Sequence, residues 1–104
     1  MAPFHLELSV RDYELDQFGV VNNAVYSNYL EHARHAFLLD AGLDAASVAG
    51  TGRSLALSAL TLRYRASLRA HDRFVVTVAV AELRGARVVF QQRIERLPDA
   101  KLVL

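Results

Sequence analysis

One acidic side chain, Asp16, stands in a loop six residues ahead of an asparagine pair, Asn22 and Asn23, where the pattern changes to that of a helix. A carboxylate can serve as base or nucleophile toward a carbonyl. The unpaired N–H groups of a helix's first turn can hold the negative oxygen that then develops. The pairing therefore points to acyl-transfer chemistry, with apolar Leu15 and Phe18 partly desolvating Asp16 and keeping it reactive. Each residue also has a plainer use. Asp is a common turn former, here ahead of Gly19, and one asparagine oxygen suffices to cap a helix, which leaves the second asparagine spare. Gly19 permits a positive φ or a close backbone approach. Tyr26 falls on the apolar side of the coming helix and reads more readily as core than as a ligand contact.

The elements that must position these groups follow from periodicity. Phe4 to Arg11 alternates apolar and polar residues, the mark of a half-buried strand. From Asn23 to about Ala41 the period changes, and Tyr26, Tyr29, Leu30, Ala33, Phe37 and Ala41 fall on one helical stripe. Asn22 or Asn23 caps its start and Gly42 stops it. The helix would run about 27 Å at ~1.5 Å per residue. On its other side Glu31 can pair with Arg34 at i+3 and with His35 at i+4.

Beyond it, Asp44 to Gly52 reads as a short helical turn and a loop. Three strand-like segments follow, Ser54–Ser67, Arg73–Leu83 and Ala86–Leu97, separated by Ala70-His71-Asp72 and Arg84-Gly85. In the last, Val88, Phe90 and Ile94 point one way and Gln91, Arg93 and Glu95 the other. The apolar parity of Ser54–Ser67 shifts midway, as a bulge or a bend around the helix would require. Pro98-Asp99 makes a turn, and Lys101 opens another strand. The order predicts an α+β fold, a single domain over residues 1–104 in which an antiparallel sheet wraps one long helix. A sheet of this kind leaves an edge that a second copy can cover, so a homodimer or a dimer of dimers is expected.

Composition narrows the function classes. With 104 residues the chain is one domain with a modest core. A net charge of +1, with acids and bases interspersed, gives no field suited to nucleic acid or a membrane surface. No apolar run approaches the ~20 residues that span a bilayer, and no signal or transit segment precedes the first strand. The absence of cysteine excludes disulfides and thiol nucleophiles. His5, His32, His35 and His71 have no carboxylate placed with them in a metal-binding pattern, so neither metal nor cofactor is expected. Ser54 and Ser58 lack the G-x-S-x-G context of a serine hydrolase.

The run from Val10 to Tyr26, V-R-D-Y-E-L-D-Q-F-G-V-V-N-N-A-V-Y, followed by Tyr29-Leu30-Glu31-His32-Ala33-Arg34, resembles the active-site loop and central helix of hotdog-fold thioesterases of the 4-hydroxybenzoyl-CoA type. Within that group it is most similar to the plant acyl-lipid (acyl-ACP) thioesterases. The resemblance implies hydrolysis of fatty acyl or β-keto-acyl thioesters on acyl carrier protein or coenzyme A, with Asp16 as the catalytic carboxylate and amides near Asn23 polarising the carbonyl. It places Gly19, Asn22, Tyr26 and Arg34 in or around the site, and Thr61, Leu62 and Arg63 along an acyl and pantetheine channel at a dimer interface. It implies the chloroplast stroma, with the cytoplasm as the alternative. Val20 stands where many bacterial relatives carry His, and family members continue beyond Leu104 to complete the strand opened at Lys101. A non-catalytic acyl-binding or dimerisation module of the same fold is the alternative function.

Overall fold

The computed structural model describes residues 3–41, 59–84 and 87–104. The expected turn and loop at Asp44–Gly52, the stop at Gly42, Gly85, and residues 54–58 of the second expected strand lie outside the described residues. Four strands, β1 (Phe4–Ser9), β2 (Arg73–Arg84), β3 (Arg87–Arg96) and β4 (Lys101–Leu102), form one antiparallel sheet in the order β1-β2-β3-β4. One long helix, α1 (Asn23–Asp40), packs across its inner face. The expected α+β arrangement is thus the observed one. α1 is not long and apolar enough to cross a membrane.

The strands form because their apolar residues recur every second position and meet in register. Leu6 faces Val76, which faces Ile94, and Phe4, Val78 and Gln92 make the next row. Phe74, Val76, Val78 and Ile94 are fully buried beneath α1, whose Tyr26, Tyr29, Leu30 and Ala33 close the core from above. Phe37 packs partly buried against Phe4 and Phe90, whereas Ala41 lies past the helix end and is exposed. Burial of roughly ten such side chains at ~1.5–3 kcal/mol each supplies the drive for collapse.

Three expectations are corrected. The first strand stops at Ser9, and Asp12–Glu14 form a short 3-10 turn. Residues 59–67 form no ladder. That stretch is held by Arg65 and Ala66, whose N–H groups donate to the Val103 carbonyl at 2.8 and 3.3 Å. A strand needs a neighbour along its length, and the chain following β4 offers one only at Val103. The bulge belongs to β2, between Val80 and Glu82, where the register against β3 slips. On the helix, Glu31 reaches His35 at 3.9 Å as expected, while Arg34 turns away from Glu31 toward the sheet.

Val103 also fixes a spacing. Its N–H donates to the Ile94 carbonyl at 2.8 Å while its own carbonyl serves Arg65, so β3 and the 59–67 stretch stand one strand apart at that level. Above it they flank an open cleft of about 370 Å³ with Leu30 as part of its floor and Leu104 at its lower end.

Candidate active site

The Asp16 loop is a tight hairpin whose return arm runs into the helix. Leu15 bridges Val21, the Asp16 N–H donates to the Val20 carbonyl at 2.8 Å, and the Asn22 N–H donates to the Glu14 carbonyl at 3.0 Å. Between the arms, the Gly19 N–H closes a turn onto the Asp16 carbonyl at 3.1 Å, with Gly19 at φ +75°. This is a three-residue hairpin loop that needs a left-handed residue after its turn, and glycine takes that conformation without a Cβ penalty. Gln17-Phe18 at the tip are exposed; Phe18, at 76 % exposure, does not cover Asp16 as the sequence suggested.

Asp16 itself is half-buried. Its Oδ1 accepts from the Phe18 N–H at 2.8 Å and more weakly from Val20 at 3.4 Å. Its Oδ2 has no partner among the described residues. The turn role and the availability for chemistry therefore fall on different oxygens of one carboxylate.

On the return arm Asn22 is the N-cap. Its side-chain oxygen accepts from the Ala24 N–H at 3.0 Å, and its carbonyl accepts from Val25 at 2.9 Å. With those two amides satisfied, the Asn23 N–H is left without a partner among the described residues, at the positive end of an 18-residue helix. Asp16 lies two residues beyond the level of the Glu14–Asn22 pair, about 7 Å along the strand at ~3.3 Å per residue. The Asn23 amide stands one residue past that pair, at the start of α1.

Tyr26 lies beneath this pair. It is 2 % exposed, its hydroxyl oxygen accepts from the Leu68 N–H at 3.0 Å, and its ring meets those of Tyr29 and Tyr64 edge-on. Burial raises its pKa, with smaller contributions from Tyr64 and the Asp16 carboxylate working against the lowering by the Leu68 amide. Tyr64 in turn donates to the Asn23 carbonyl at 3.3 Å, which ties the 59–67 stretch to the start of α1.

The remaining sequence-derived residues gather further along that stretch. Thr61, Leu62 and Arg63 line the cleft together with Phe90, Gln91 and Gln92. Arg34 reaches its edge indirectly: its guanidinium donates to Gln92 Oε1 at 2.9 Å, and the Gln92 amide donates to the Leu30 carbonyl at 3.0 Å. Asp16, Gly19, Asn22 and Asn23 thus form one group on the hairpin and helix start, and Arg34, Thr61, Leu62 and Arg63 a second, with Tyr26 and Tyr64 packed between them.

Sequence reasoning passed over two contributors. Gln92 holds an inward parity position between Phe90 and Ile94, and a polar residue in an apolar row is a legible signal. Glu14 accepts at one oxygen both the Tyr29 hydroxyl and the Arg11 N–H, each at 2.8 Å; its partner lies fifteen residues away, and no local pattern announces it.

The comparisons with known proteins agree with this architecture. Residues 10–104 match the model of the thioesterase-like superfamily. The chain is 49 % identical over 105 residues to the chloroplastic acyl-acyl carrier protein thioesterase ATL3 of Arabidopsis thaliana, covering all of this chain and 55 % of that protein. It thus spans about half the length of that relative. Among solved structures, a hypothetical protein from Thermus thermophilus superposes with a TM-score of 0.92 at 35 % identity, over 98 % of this chain and 76 % of the other. A 1,4-dihydroxy-2-naphthoyl-CoA thioesterase from Synechocystis shares the fold at a TM-score of 0.91 and 20 % identity, over 98 % and 75 % of the two chains. With its hairpin, its capped helix and strands β2 to β4 inside the matched region, the chain belongs to the thioesterase-like superfamily.

Proposed function

We propose that the protein hydrolyses acyl thioesters, releasing a free acid and the thiol of an acyl carrier protein or coenzyme A. The observation that carries this reading is the pairing of a carboxylate oxygen and a helix-start amide, both without protein partners among the described residues, on the two arms of one hydrogen-bonded hairpin. In the reaction, Asp16 Oδ2 takes a proton from water as the water oxygen bonds to the thioester carbon. The carbonyl oxygen gains the negative charge and is held by the Asn23 N–H. Collapse restores the C=O bond and breaks the C–S bond, and the leaving sulfur takes the proton from Asp16. Direct attack by Asp16, giving an anhydride that water then opens, uses the same two groups.

The name of the Arabidopsis relative supports an acyl substrate on acyl carrier protein and a place in the chloroplast; a fatty acyl group and the stroma follow from the family resemblance. The outward Arg63, Arg65 and Arg69 suit an acidic carrier or the phosphates of coenzyme A. By the same reading the protein works as a homodimer or a dimer of dimers, assembled over exposed Leu60 and Tyr64 beside the site. The test is thiol release from a panel of acyl-CoA and acyl-carrier-protein substrates. Asp16→Asn keeps a side-chain oxygen for the Phe18 N–H, so the hairpin should persist and melting should not move, while turnover should fall by roughly 10²–10⁴. Equal turnover in the variant and the parent would defeat the reading.

A further inference from the structure

Glu14 is joined to its surroundings by side chain and backbone at once. Its Oε1 accepts the Tyr29 hydroxyl and the Arg11 N–H, its own N–H donates to the Arg11 carbonyl at 3.0 Å, and its carbonyl accepts from Asn22. Tyr29 lies on the second turn of α1, in the core, with its ring 4.7 Å from that of Phe74. One residue therefore connects the arm that leads to Asp16, the residue that caps α1, and a side chain rooted in the sheet–helix core.

We infer that Glu14, clasped by Tyr29, is a positioning residue for Asp16: it fixes the height of the outgoing hairpin arm against the start of α1, and so the gap between carboxylate and amide that the proposed hydrolysis requires. The inference rests on that reading of the site. Physically, the hairpin's two arms hold each other, but their shared placement on the helix depends on contacts outside the loop. Leu15 and Val21 bury apolar surface with no fixed direction. The return arm is held to the 68–69 stretch by the Val21 N–H, which donates to the Leu68 carbonyl at 2.9 Å. Tyr29 apart, nothing else outside the loop directs the outgoing arm among the described residues. The bond from Tyr29 to Glu14 is directional and charge-assisted, with a core-held donor. The Glu14 neighbour also helps keep the phenol protonated, after burial, which is the larger cause. Displacing a reacting group by about 1 Å is enough to cost up to ~10²-fold in rate.

The test compares Glu14→Ala, Glu14→Gln and the pair Glu14→Ala with Tyr29→Phe, by steady-state thiol release and by amide exchange at Phe18 and Asn22. Glu14→Ala should lower kcat by about tenfold or more with little change in KM, since substrate-binding surface is untouched. Glu14→Gln offers an oxygen to the same two donors and should restore most of kcat, and the double variant should be no slower than Glu14→Ala alone. Full activity in Glu14→Ala would overturn the inference, as would a Glu14→Gln protein as slow as Glu14→Ala, which would assign the effect to charge at the reaction centre. If the parent releases no thiol, the thioesterase reading fails. The exchange measurement still judges the clasp: faster exchange at Asn22 in Glu14→Ala, reversed in Glu14→Gln, supports it, and unchanged exchange overturns it.

Discussion

Asp16 and Gly19 show how little sequence is needed to hold a carboxylate in one place. The carboxylate closes its own turn with one oxygen, and the glycine returns the chain to the helix at φ +75°. A Cβ added at Gly19 meets nothing within 4 Å. Gly19→Ala should therefore cost only the backbone term, about 1–2 kcal/mol in chemical denaturation, and Gly19→Asn less, because asparagine tolerates the left-handed region. A loss well beyond that would mean the tip contacts something in solution. The same two residues were conspicuous in the sequence because Asp-x-x-Gly is a local pattern. The division of labour between the two carboxylate oxygens was not, since it depends on where the Phe18 and Val20 amides point.

Helix α1 carries two phenols whose ionisation the fold opposes. Tyr26 is held above its ordinary value mainly by burial, and Tyr29 further above it by burial and by the Glu14 carboxylate that accepts its hydrogen bond. In the unfolded chain both ionise near pH 10. Above that pH the unfolded state binds fewer protons than the folded one, so stability is complete below pH ~10 and declines as the pH rises toward the folded values. Denaturant midpoints measured from pH 8 to 11.5 should fall in the upper part of this range, and Tyr29→Phe should flatten the fall. The helix itself was legible: its stripe, its Asn22 cap and its Glu31–His35 pair are all i to i+4 relations within one segment. The partner of Arg34 was not, because Gln92 lies fifty-eight residues on, and neither was the 3-10 turn at Asp12–Glu14, which is held by Tyr29 from outside the segment. The strand expected over Ser54–Ser67 failed in its described part for a related reason. Alternation records which face a residue shows, and says nothing of whether a neighbour lies alongside to complete the ladder.

At the scale of the molecule, the sheet is satisfied unevenly among the described residues. Ile94 exchanges hydrogen bonds with Val103 and Leu104, and the Leu97 N–H donates across to Arg73. By the two-residue period of an antiparallel ladder, the Gln92 and Phe90 amides face the cleft, where the described residues give β3 no ladder partner, while Gln91 and Arg93 face β2. Hydrogen exchange should therefore alternate along β3, with Phe90 and Gln92 faster than Gln91 and Arg93 by orders of magnitude. Uniform protection would show that something covers this edge in solution, as a second copy would.

The position of Val103 between its two neighbours also bears on how the protein is handled. Leu104 is half-buried and lines the cleft with Leu30, Leu62 and Phe90, so a bulky label attached at that position would compete for the cleft's apolar surface. Pro3 is exposed, and a label attached at that position would start in solvent.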